Sequence, residues 1–495
     1  MNSPTNYRPP VDDYFADWKQ REALVQEMIP VIGKLFSQRN VGLFIYGRPL
    51  HNRSVTFIMK THRYVRQVER NEMSEFESHP VLMALAKLDL WHAQIDLGKL
   101  TVRFMEHQEA EGENALDVDT FVRQEAGYLD GVKNSPIEKS QDVVLYGFGR
   151  IGRLMARLLV ERTSTGEVMR LRAIVVRPAG EGDLQKRANL FMSDSVHGAF
   201  QGTLRVDEEN NCLIANGNVI QVIYAKSPEE VDYTKYGISD ALIIDNTGMW
   251  RDEEGLSLHL KSKGAAKVLL TAPGKGDLKN IVYGINDHEM SPDDKIVTAA
   301  SCTTNAIAPV LKVINDEYGI VNGHIETVHA YTNDQNLIDN YHKGSRRGRS
   351  AVLNMVLTET GAAKAVVKAV PELAGKLTGN AVRVPIPNVS MAIMTLSLEK
   401  ATSKEEVNEF LRKIALHSNL QNQISFTQSE DAVSSDFVGT REAGIVDSNA
   451  TIVNGNHCVL YLWYDNEFGY CCQVGRMVYK MANVTYQHYP PEGQE

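Results

Sequence analysis

Residues 142–161 read DVVLYGFGRIGRLMARLLVE, and this stretch decides the fold. The run Val143–Tyr146 is typical of a short buried strand, and Arg153–Glu161 is typical of a helix. Between them stands a GxGxxG turn with glycines at positions 147, 149 and 152. In such a loop the first glycine makes the turn, the second admits a pyrophosphate, and the third lets helix and strand pack closely. The strand–turn–helix order predicts a dinucleotide site at the helix amino end; a tight turn in another α/β protein is the alternative.

The alternation of strands and helical stretches continues beyond this loop. Further strands are predicted over Ala173–Val176, Ala241–Ile244, Val268–Leu270 and Ile296–Thr298. Strands that alternate with helices indicate a mostly parallel, doubly wound sheet. From Cys302 onward a helix precedes longer alternating strands, such as Gly323–Tyr331 and Ser390–Leu398. A second domain with more antiparallel pairing is therefore expected.

The first 139 residues have a different pattern, which predicts a small helical domain. After Asp12 and Asp13, apolar residues at helical spacing predict a first helix, with Trp18, Val25, Met28, Ile32 and Leu35 on one face. A second helix is predicted over Ser54–Arg70. A third is predicted to open at Ser78 and Pro80 and to run through Ile95 to Met105, and a fourth to begin at Asp117. The turn-rich stretch Gly131–Ser140 closes this segment.

Composition bounds the class of protein. The 495 residues are 43% hydrophobic and 23% charged, which is typical of a soluble globular chain of several domains. A net charge of -10 argues against a general nucleic-acid or membrane-surface binder. The sequence has no long apolar run and no secretory signal, and its five cysteines are an odd, low number. A cytoplasmic location with free thiols is expected.

Cys302 and His329 form the candidate catalytic pair. Cys302 opens a helical stretch in SCTTNAIAPVLKVIND, where backbone N–H groups and the helix dipole lower the pKa of a thiol. His329 ends a predicted strand in ETVHAYTNDQN, and a Cys–His pair supplies a nucleophile with an acid/base. The alternative is a buried, inert cysteine. Cys212, Cys458, Cys471 and Cys472 are interpreted as structural, and no motif predicts a metal site.

A basic cluster follows in HKGSRRGRS, with His342, Lys343, Arg346, Arg347 and Arg349. A nucleic-acid patch, a solvated loop or a phosphate pocket would each fit such a cluster. The nearby Thr332, with Thr360 and Gly361 in TETGAAK, favours phosphate, because hydroxyl and guanidinium donors together suit that anion. Arg383 in AVRVPIPNVS adds another guanidinium.

The residue expected to bind the adenosine ribose is unusual. A dinucleotide loop is usually followed, about 20 positions on, by a carboxylate that bonds the ribose 2′-hydroxyl. Here the next strand ends in IVVRPAG, which places Arg177 and Pro178 there. An arginine can pair with a 2′-phosphate, which hints at NADP; a solvated arginine is the alternative.

Six segments, in this order, resemble phosphorylating glyceraldehyde-3-phosphate dehydrogenase: GFGRIG, SCTTN, HAYTNDQ, TGAAKAV, RVPIPNVS and WYDNEFGY. The resemblance covers about residues 140–482. It implies a Rossmann-type NAD(P)-binding domain over 140–301 that is completed by a helix within 449–482. It also implies an α+β catalytic domain with a mainly antiparallel sheet over 302–448. Residues 1–139, expected to be all-helical, resemble the extension of a longer bacterial variety.

The resemblance also implies roles for individual residues. Cys302 resembles the nucleophile and His329 the acid/base. The site of attacking inorganic phosphate would comprise Ser301, Thr303, Arg347, Thr360 and Gly361, and the pocket for the substrate's own phosphate Thr332 and Arg383. The implied cofactor-binding residues are Gly147, Phe148, Gly149, Arg150, Ile151, Gly152, Arg177, Thr247, Gly248, Thr271 and Asn466.

The implied reaction is the reversible conversion of glyceraldehyde 3-phosphate, phosphate and NAD(P)+ to 1,3-bisphosphoglycerate through a cysteine thioester, in glycolysis or gluconeogenesis. A homotetramer is implied as well. The Leu-Pro pair that NAD-specific members tend to carry is replaced by Asn340 and Tyr341, which again leaves NADP open. Two alternatives remain: erythrose-4-phosphate dehydrogenase, and a non-catalytic binding protein on the same scaffold.

Overall fold

The computed structural model describes residues 11–358 and 360–491, and these form two compact units. Unit 1 comprises the described residues up to Lys139, together with Thr163–Val168 and those from Val484 onward. Unit 2 comprises Ser140–Arg162 and Met169–Asn483.

Unit 1 is built from helices and very short strands. Its elements are α1 (Tyr14–Arg39), β1 (Gly42–Ile45), β2 (Arg48–Pro49), α2 (Val55–Glu69), α3 (Glu75–Leu85), β3 (Ala93–Asp96), α4 (Leu97–Glu111), α5 (Val118–Ala126) and the last strand of the chain, β21 (Gln487–Tyr489).

Local sequence explains where three of these helices begin. The side chain of Asp13 accepts hydrogen bonds from the N–H groups of the first turn of α1. Ser54 caps α2 and Asp117 caps α5 in the same way. The predicted helices at these positions are confirmed. Helix α1 buries Val25, Met28, Ile32 and Leu35, whereas Trp18 at its start is 42% exposed.

Unit 1 is not all-helical, which corrects the prediction for residues 1–139. A four-stranded sheet runs in the order β2-β1-β3-β21, with β1, β3 and β21 parallel. The third predicted helix is two helices, α3 and α4, with β3 and the buried Ile95 between them. Helix α3 begins before Ser78 and Pro80, because Ser74 and Glu77 form a capping box there.

The first part of unit 2 contains an eight-stranded sheet. Its elements are β4 (Gln141–Tyr146), α6 (Arg150–Glu161), β5 (Met169–Val176), α7 (Asp183–Met192), β6 (Ser193–Asp194), β7 (Gly198–Ala199), β8 (Leu204–Asp207), β9 (Cys212–Ala215), β10 (Asn218–Tyr224), β11 (Ala241–Asp245), α8 (Glu253–Leu260), β12 (Ala265–Leu270) and β13 (Ile296–Thr298). The order β13-β12-β11-β4-β5-β10-β9-β8 is parallel as far as β10 and antiparallel beyond it. The predicted doubly wound sheet is confirmed.

The second part of unit 2 carries a seven-stranded sheet. Its elements are α9 (Cys302–Tyr318), β14 (Ile320–Ala330), β15 (Val356–Thr358), α10 (Ala362–Ala369), β16 (Leu377–Val384), β17 (Ser390–Thr402), α11 (Lys404–His417), β18 (Ile424–Thr427), β19 (Gly444–Asp447), β20 (Ile452–Tyr464) and α12 (Phe468–Met481). The order β15-β16-β14-β17-β20-β19-β18 is antiparallel except at β14–β16 and β18–β19. The predicted mainly antiparallel sheet is confirmed.

Three elements place the site. Helix α12 packs on α6, where the thiol of Cys471 points at the carbonyl oxygen of Ile151. Helix α9 is buried along most of its length and begins at Cys302. Strand β14 ends one residue after His329. The starts and ends of these buried elements therefore hold the candidate catalytic pair.

Candidate active site

The structure brings Cys302 and His329 together. Their Sγ and Nε2 atoms lie 3.5 Å apart, although the residues are 27 positions apart in sequence. Cys302 is the first residue of α9, and Ser301 caps that helix by accepting a hydrogen bond from the N–H of Thr304 at 3.0 Å. The thiol thus lies beside the uncapped N–H groups of a helix terminus, with an imidazole as its neighbour.

Burial dominates the ionisation of this pair in the free protein. Burial raises the pKa of the Cys302 thiol, although the charge of Arg383 and hydrogen bonds from Thr303 act in the opposite direction. The lowered thiol pKa expected from the helix terminus is therefore not observed. Burial and Arg383 lower the pKa of His329 to about 3. The resting pair is a neutral thiol beside a neutral imidazole.

Contacts of Nδ1 orient the imidazole of His329. This atom lies 2.7 Å from the carbonyl oxygen of Ala330 and 2.8 Å from Nη1 of Arg383. In the tautomer with the proton on Nδ1, this atom donates to Ala330 alone, because the guanidinium of Arg383 cannot accept a hydrogen bond, and the Nε2 lone pair faces Sγ. Arg383 also donates to the same carbonyl at 3.0 Å and to the hydroxyl of Thr332 at 3.3 Å. Arg383 therefore contacts both the base and one predicted phosphate ligand.

A second guanidinium lies close to Thr332. Nη1 of Arg347 donates to Asp334 at 2.6 Å, and the hydroxyl of Thr332 donates to the other oxygen of the same carboxylate. Nε and Nη2 of Arg347 contact the hydroxyl of Thr358 at 3.3 and 3.1 Å. Thr332, Arg347 and Arg383 thus form one connected group, which we call the anion group.

The other predicted phosphate ligands lie at helix starts and in the core. The hydroxyl of Thr303 is within 3.0 Å of the buried Tyr464 hydroxyl. Gly361 caps α10 without a side-chain hydrogen bond, and the hydroxyl of Thr360 accepts from the N–H of Ala362 at 3.1 Å. Among the described residues, no hydrogen bond joins Thr360 or Gly361 to the anion group.

The glycine loop has the shape that a dinucleotide requires. Gly147 has φ +95°, a conformation that favours glycine. A Cβ at Gly152 would lie 2.3 Å from the carbonyl oxygen of Gly147, so this position is closely packed. At Gly149 a Cβ would meet nothing within 4 Å, and the helix that follows has no side-chain cap. Open space in front of free N–H groups fits a pyrophosphate.

The side chains of two loop residues, Phe148 and Arg150, have partners elsewhere in unit 2. Arg150 donates to both oxygens of Glu467 and, at 3.0 and 3.2 Å, to both oxygens of Asp194. The hydrogen bond to Glu467 raises the pKa of Arg150. Hydrogen bonds from the backbone N–H of His197 and from Arg150 hold the pKa of Asp194 well below its usual value, against the effect of burial. Phe148 is buried and stacks on a neighbouring ring, and the carbonyl of Ile151 faces α12. At these positions the backbone, and not the side chain, can contact a pyrophosphate.

The turn after β11 is held by a buried carboxylate. Asp245 accepts from the N–H and the hydroxyl of Thr247, both at 2.7 Å, and from His259 at 2.9 Å. Gly248 follows with φ +63°. The hydroxyl of Thr271 donates to the carbonyl of Asp245 at 3.0 Å. The predicted cofactor residues Thr247, Gly248 and Thr271 thus lie together at the carboxyl ends of β11 and β12, where parallel α/β sheets bind ligands.

Asn466 lies in the turn between β20 and α12, and its neighbours secure it. Its side-chain oxygen accepts from the hydroxyl of Ser390 at 2.8 Å. Asp465 accepts from His197 at 3.1 Å and from two N–H groups of its own turn, and Glu467 accepts from the loop arginine described above. The amide nitrogen of Asn466 is the group left to orient a ligand.

Arg177 follows β5 and is exposed. Its Nη2 atom lies 3.0 Å from the sulfur of Met249, and its carbonyl accepts from Arg187 at 3.1 Å. The side chain is thus placed at the carboxyl edge of the parallel sheet, where the ribose carboxylate of other dinucleotide folds stands.

Comparison with known proteins decides the family. Residues 141–253 match the family model described as glyceraldehyde 3-phosphate dehydrogenase, NAD binding domain, and residues 301–466 match the C-terminal domain of the same family. The chain belongs to the glyceraldehyde-3-phosphate dehydrogenase family. The resemblance inferred from the six segments is confirmed, as are the Rossmann-type and catalytic domains.

Relatives of two lengths match this dehydrogenase. A glyceraldehyde-3-phosphate dehydrogenase-like protein of Pseudomonas aeruginosa (strain UCBPP-PA14) is 60% identical over 94% of this chain and 100% of its own length. Glyceraldehyde-3-phosphate dehydrogenase 2 of Nostoc sp. (strain PCC 7120) is 41% identical over 67% of this chain and 96% of its own. The shorter glyceraldehyde-3-phosphate dehydrogenase of P. aeruginosa (strain PAO1) is 41% identical over 66% of this chain and 94% of its own length. The first relative therefore shares sequence with this dehydrogenase beyond the part that the shorter relatives match.

Sequence reasoning missed several residues that hold the site of this dehydrogenase together. Asp334, Asp194 and Ser390 contact predicted site residues but were not singled out. Asp334 and Glu467 stand inside quoted motifs, HAYTNDQ and WYDNEFGY, so their charge next to the chosen residues was the available signal. Among the described residues, no cluster of His, Cys, Asp and Glu could hold a metal ion. No helix that the structure describes is long and apolar enough to cross a membrane.

Proposed function

We propose that this protein is an NAD(P)-dependent phosphorylating glyceraldehyde-3-phosphate dehydrogenase. The observation that carries the proposal is the 3.5 Å approach of Cys302 Sγ to His329 Nε2 at a helix amino terminus. Support also comes from the anion group, which begins at Arg383 beside the same imidazole. A three-carbon aldehyde that carries a phosphate needs a nucleophile and an anion pocket in this arrangement.

In the first step, the Cys302 thiol transfers its proton towards Nε2 of His329 and the sulfur attacks the aldehyde carbon. The product is a thiohemiacetal, whose oxygen lies near the N–H groups that begin α9. Arg383 and Thr332 would bind the phosphate already on the substrate and set its distance from the thiol. Nε2 gives this proton to the oxygen as the thiohemiacetal forms, and His329 takes it back when the hydride leaves the carbon.

When bound, the nicotinamide of the cofactor supplies the acceptor for the hydride that leaves the same carbon. The residues that would hold the cofactor are those of the glycine loop, with Thr247, Gly248, Thr271 and Asn466. The carbon is then a thioester of Cys302. An oxygen of inorganic phosphate, bound by Arg347 and its neighbours, attacks the thioester carbonyl, and the thiolate leaves as the acyl phosphate forms.

A steady-state assay of the full chain tests this reaction. Glyceraldehyde 3-phosphate should yield NAD(P)H only when phosphate or arsenate is added. Production without either would instead favour an acid-forming enzyme of the erythrose-4-phosphate type. Cys302→Ser is the control, and near-normal turnover of that variant would refute the mechanism.

We infer a preference for NADP, or use of both cofactors, from Arg177. It is exposed at the end of β5 in place of a carboxylate that would repel a 2′-phosphate. Arg177→Gln should raise the KM for NADP about tenfold and change that for NAD little, since only NADP carries the extra anion. Arg205→Gln, an exposed arginine on β8, is the matched control. Equal or better wild-type turnover with NAD than with NADP at matched low concentrations would contradict the preference.

We also infer a cytoplasmic homotetramer. The loop between β14 and β15 exposes large apolar side chains that a second copy would cover, among them Leu337 at 69%, Ile338 at 72%, Tyr341 at 92% and Leu353 at 81%. The five cysteines are free, which suits a reducing compartment. Light scattering of the full chain should give four times 55.2 kDa, and a monomeric mass would exclude the assembly.

A further inference from the structure

Asp334 stands where two predicted anion positions meet. One carboxylate oxygen accepts from the Thr332 hydroxyl, which is assigned to the substrate's phosphate. The other accepts from Arg347, assigned to the attacking phosphate, at 2.6 Å. One carboxylate therefore accepts hydrogen bonds from one predicted ligand of each phosphate position.

The carboxylate is fully charged and partly accessible. Its hydrogen bond from Thr332 and the charges of Arg383 and Arg347 hold the pKa of Asp334 below its usual value, against the effect of burial. Its side chain is 40% exposed and that of Arg347 is 33% exposed. A negative charge among anion ligands opposes the binding of phosphate, because like charges at this range repel. The backbone turn at Thr332 is closed by the N–H of Gln335, without the side chain of Asp334.

We propose that Asp334 competes with phosphate for Thr332 and Arg347. Its carboxylate holds both residues until an anion displaces it, and this competition sets the phosphate affinity of the free enzyme. This inference rests on the proposed function of the anion group. In the resting protein, Arg347 is neutralised by Asp334 and presents no free charge to solvent phosphate. A phosphate that takes the Thr332 hydroxyl repels the carboxylate and so releases Arg347 as well. Asp334 is thus a specificity-determining residue that links the two positions.

A comparison of two substitutions isolates the charge. Asp334→Asn keeps the size of the side chain and removes its charge, whereas Asp334→Glu keeps the charge. Asp339→Asn is the matched control, because Asp339 pairs with Arg349 at 2.9 Å in the same loop but contacts no residue of the anion group. The full-length protein would be titrated with inorganic phosphate and binding followed by phosphorus NMR line broadening, a readout that does not need turnover.

We expect Asp334→Asn to bind phosphate about threefold to tenfold more tightly than the wild type, as removal of one nearby charge at a partly exposed site allows. Asp334→Glu and Asp339→Asn should stay within about twofold of the wild type. Unchanged or weaker phosphate binding by Asp334→Asn, with an unaltered melting temperature, would overturn the proposal. An equal increase in phosphate affinity for Asp339→Asn would overturn the proposal too, because the increase would then come from the net charge of the loop and not from Asp334.

The two proposals fail separately. If the wild type shows phosphate-dependent turnover but Asp334→Asn binds phosphate no more tightly, only the role of Asp334 is lost. If the wild type shows no turnover with glyceraldehyde 3-phosphate, the reaction is wrong, yet the binding comparison still measures competition by Asp334.

Discussion

Arg383 is the residue that joins the catalytic pair to the anion group. Its Nη1 atom is within hydrogen-bond distance of His329, Ala330 and Thr332. Its charge opposes the rise that burial causes in the pKa of Cys302 and adds to the fall in the pKa of His329, because a cation stabilises a thiolate and destabilises an imidazolium. One side chain therefore binds anions and also tunes the nucleophile.

Substitution of Arg383 by Gln should raise the pKa of Cys302 further, by about one unit. Alkylation of the free enzyme by iodoacetamide from pH 7 to 11, a range that extends above the ordinary thiol pKa of 9.0, reports this shift, because only the thiolate reacts. Arg349→Gln is the control, since Arg349 pairs with Asp339 and is 65% exposed. An unchanged or lowered midpoint for Arg383→Gln would show that the guanidinium does not act on the thiol.

The neutral imidazole of His329 makes the fold sensitive to acid. Its pKa of about 3 lies below the ordinary value of 6.5, so the unfolded chain binds the proton more readily. Stability from this residue is present above pH 6.5 and is lost as pH falls towards 3, by up to about 1.4 kcal/mol per pH unit. The melting temperature of His329→Asn should therefore fall less than that of the wild type between pH 6.5 and 4.5. Parallel profiles for the wild type and His329→Asn would refute the assignment.

At the scale of elements, two glycines in the segment of β4, the glycine loop and α6 have different roles. One is needed for the packing of the segment, and the other for the binding of the cofactor. At Gly152 an added Cβ meets the backbone of the loop, whereas at Gly149 it enters open space. Gly152→Ala should destabilise unit 2 by about 1–3 kcal/mol and also weaken dinucleotide binding. Gly149→Ala should keep the melting temperature and weaken binding alone, as measured by fluorescence titration with cofactor. Equal melting temperatures and equal affinities for the two variants would contradict this division.

This element was also the part most open to prediction, because its signals are local. The strand, turn and helix of residues 141–161 are encoded by 21 consecutive residues. The caps Asp13, Ser54 and Asp117 are likewise signals carried by one residue beside the helix that each begins. The sheet of unit 1 was missed because its strands have two to four residues, too few to show a period of two. Its outer strand, β21, comes from the far end of the chain, so no local pattern announces it.

In the site, the same limit applies to side chains. Cys302 and His329 were found because each stands at the boundary of an element in a distinctive motif. The contact of Arg150 with Glu467 joins residues 317 positions apart, and its existence depends on how α12 packs on α6. Spacing within a sequence carries no information on such a contact.

At the scale of the whole molecule, every residue proposed for catalysis and cofactor binding belongs to unit 2, while β21 belongs to unit 1. A deletion of residues 1–139 alone would remove β3, the strand with which β21 pairs, and leave the edge of β21 bare. A chain of residues 140–483 avoids this, because it ends where unit 2 ends.

We expect the 140–483 chain to bind cofactor and to react with iodoacetamide at Cys302 as the full chain does, since the glycine loop, the catalytic pair and the anion group are retained. The 140–495 chain should fold with the same site but associate more readily, because β21 presents unpaired N–H and C=O groups. Cofactor titration, alkylation rate and light scattering of the three chains provide the measurements. Loss of cofactor binding by a folded 140–483 chain would mean that unit 1 contributes to the site itself. A changed mass with unchanged binding would instead assign unit 1 to assembly.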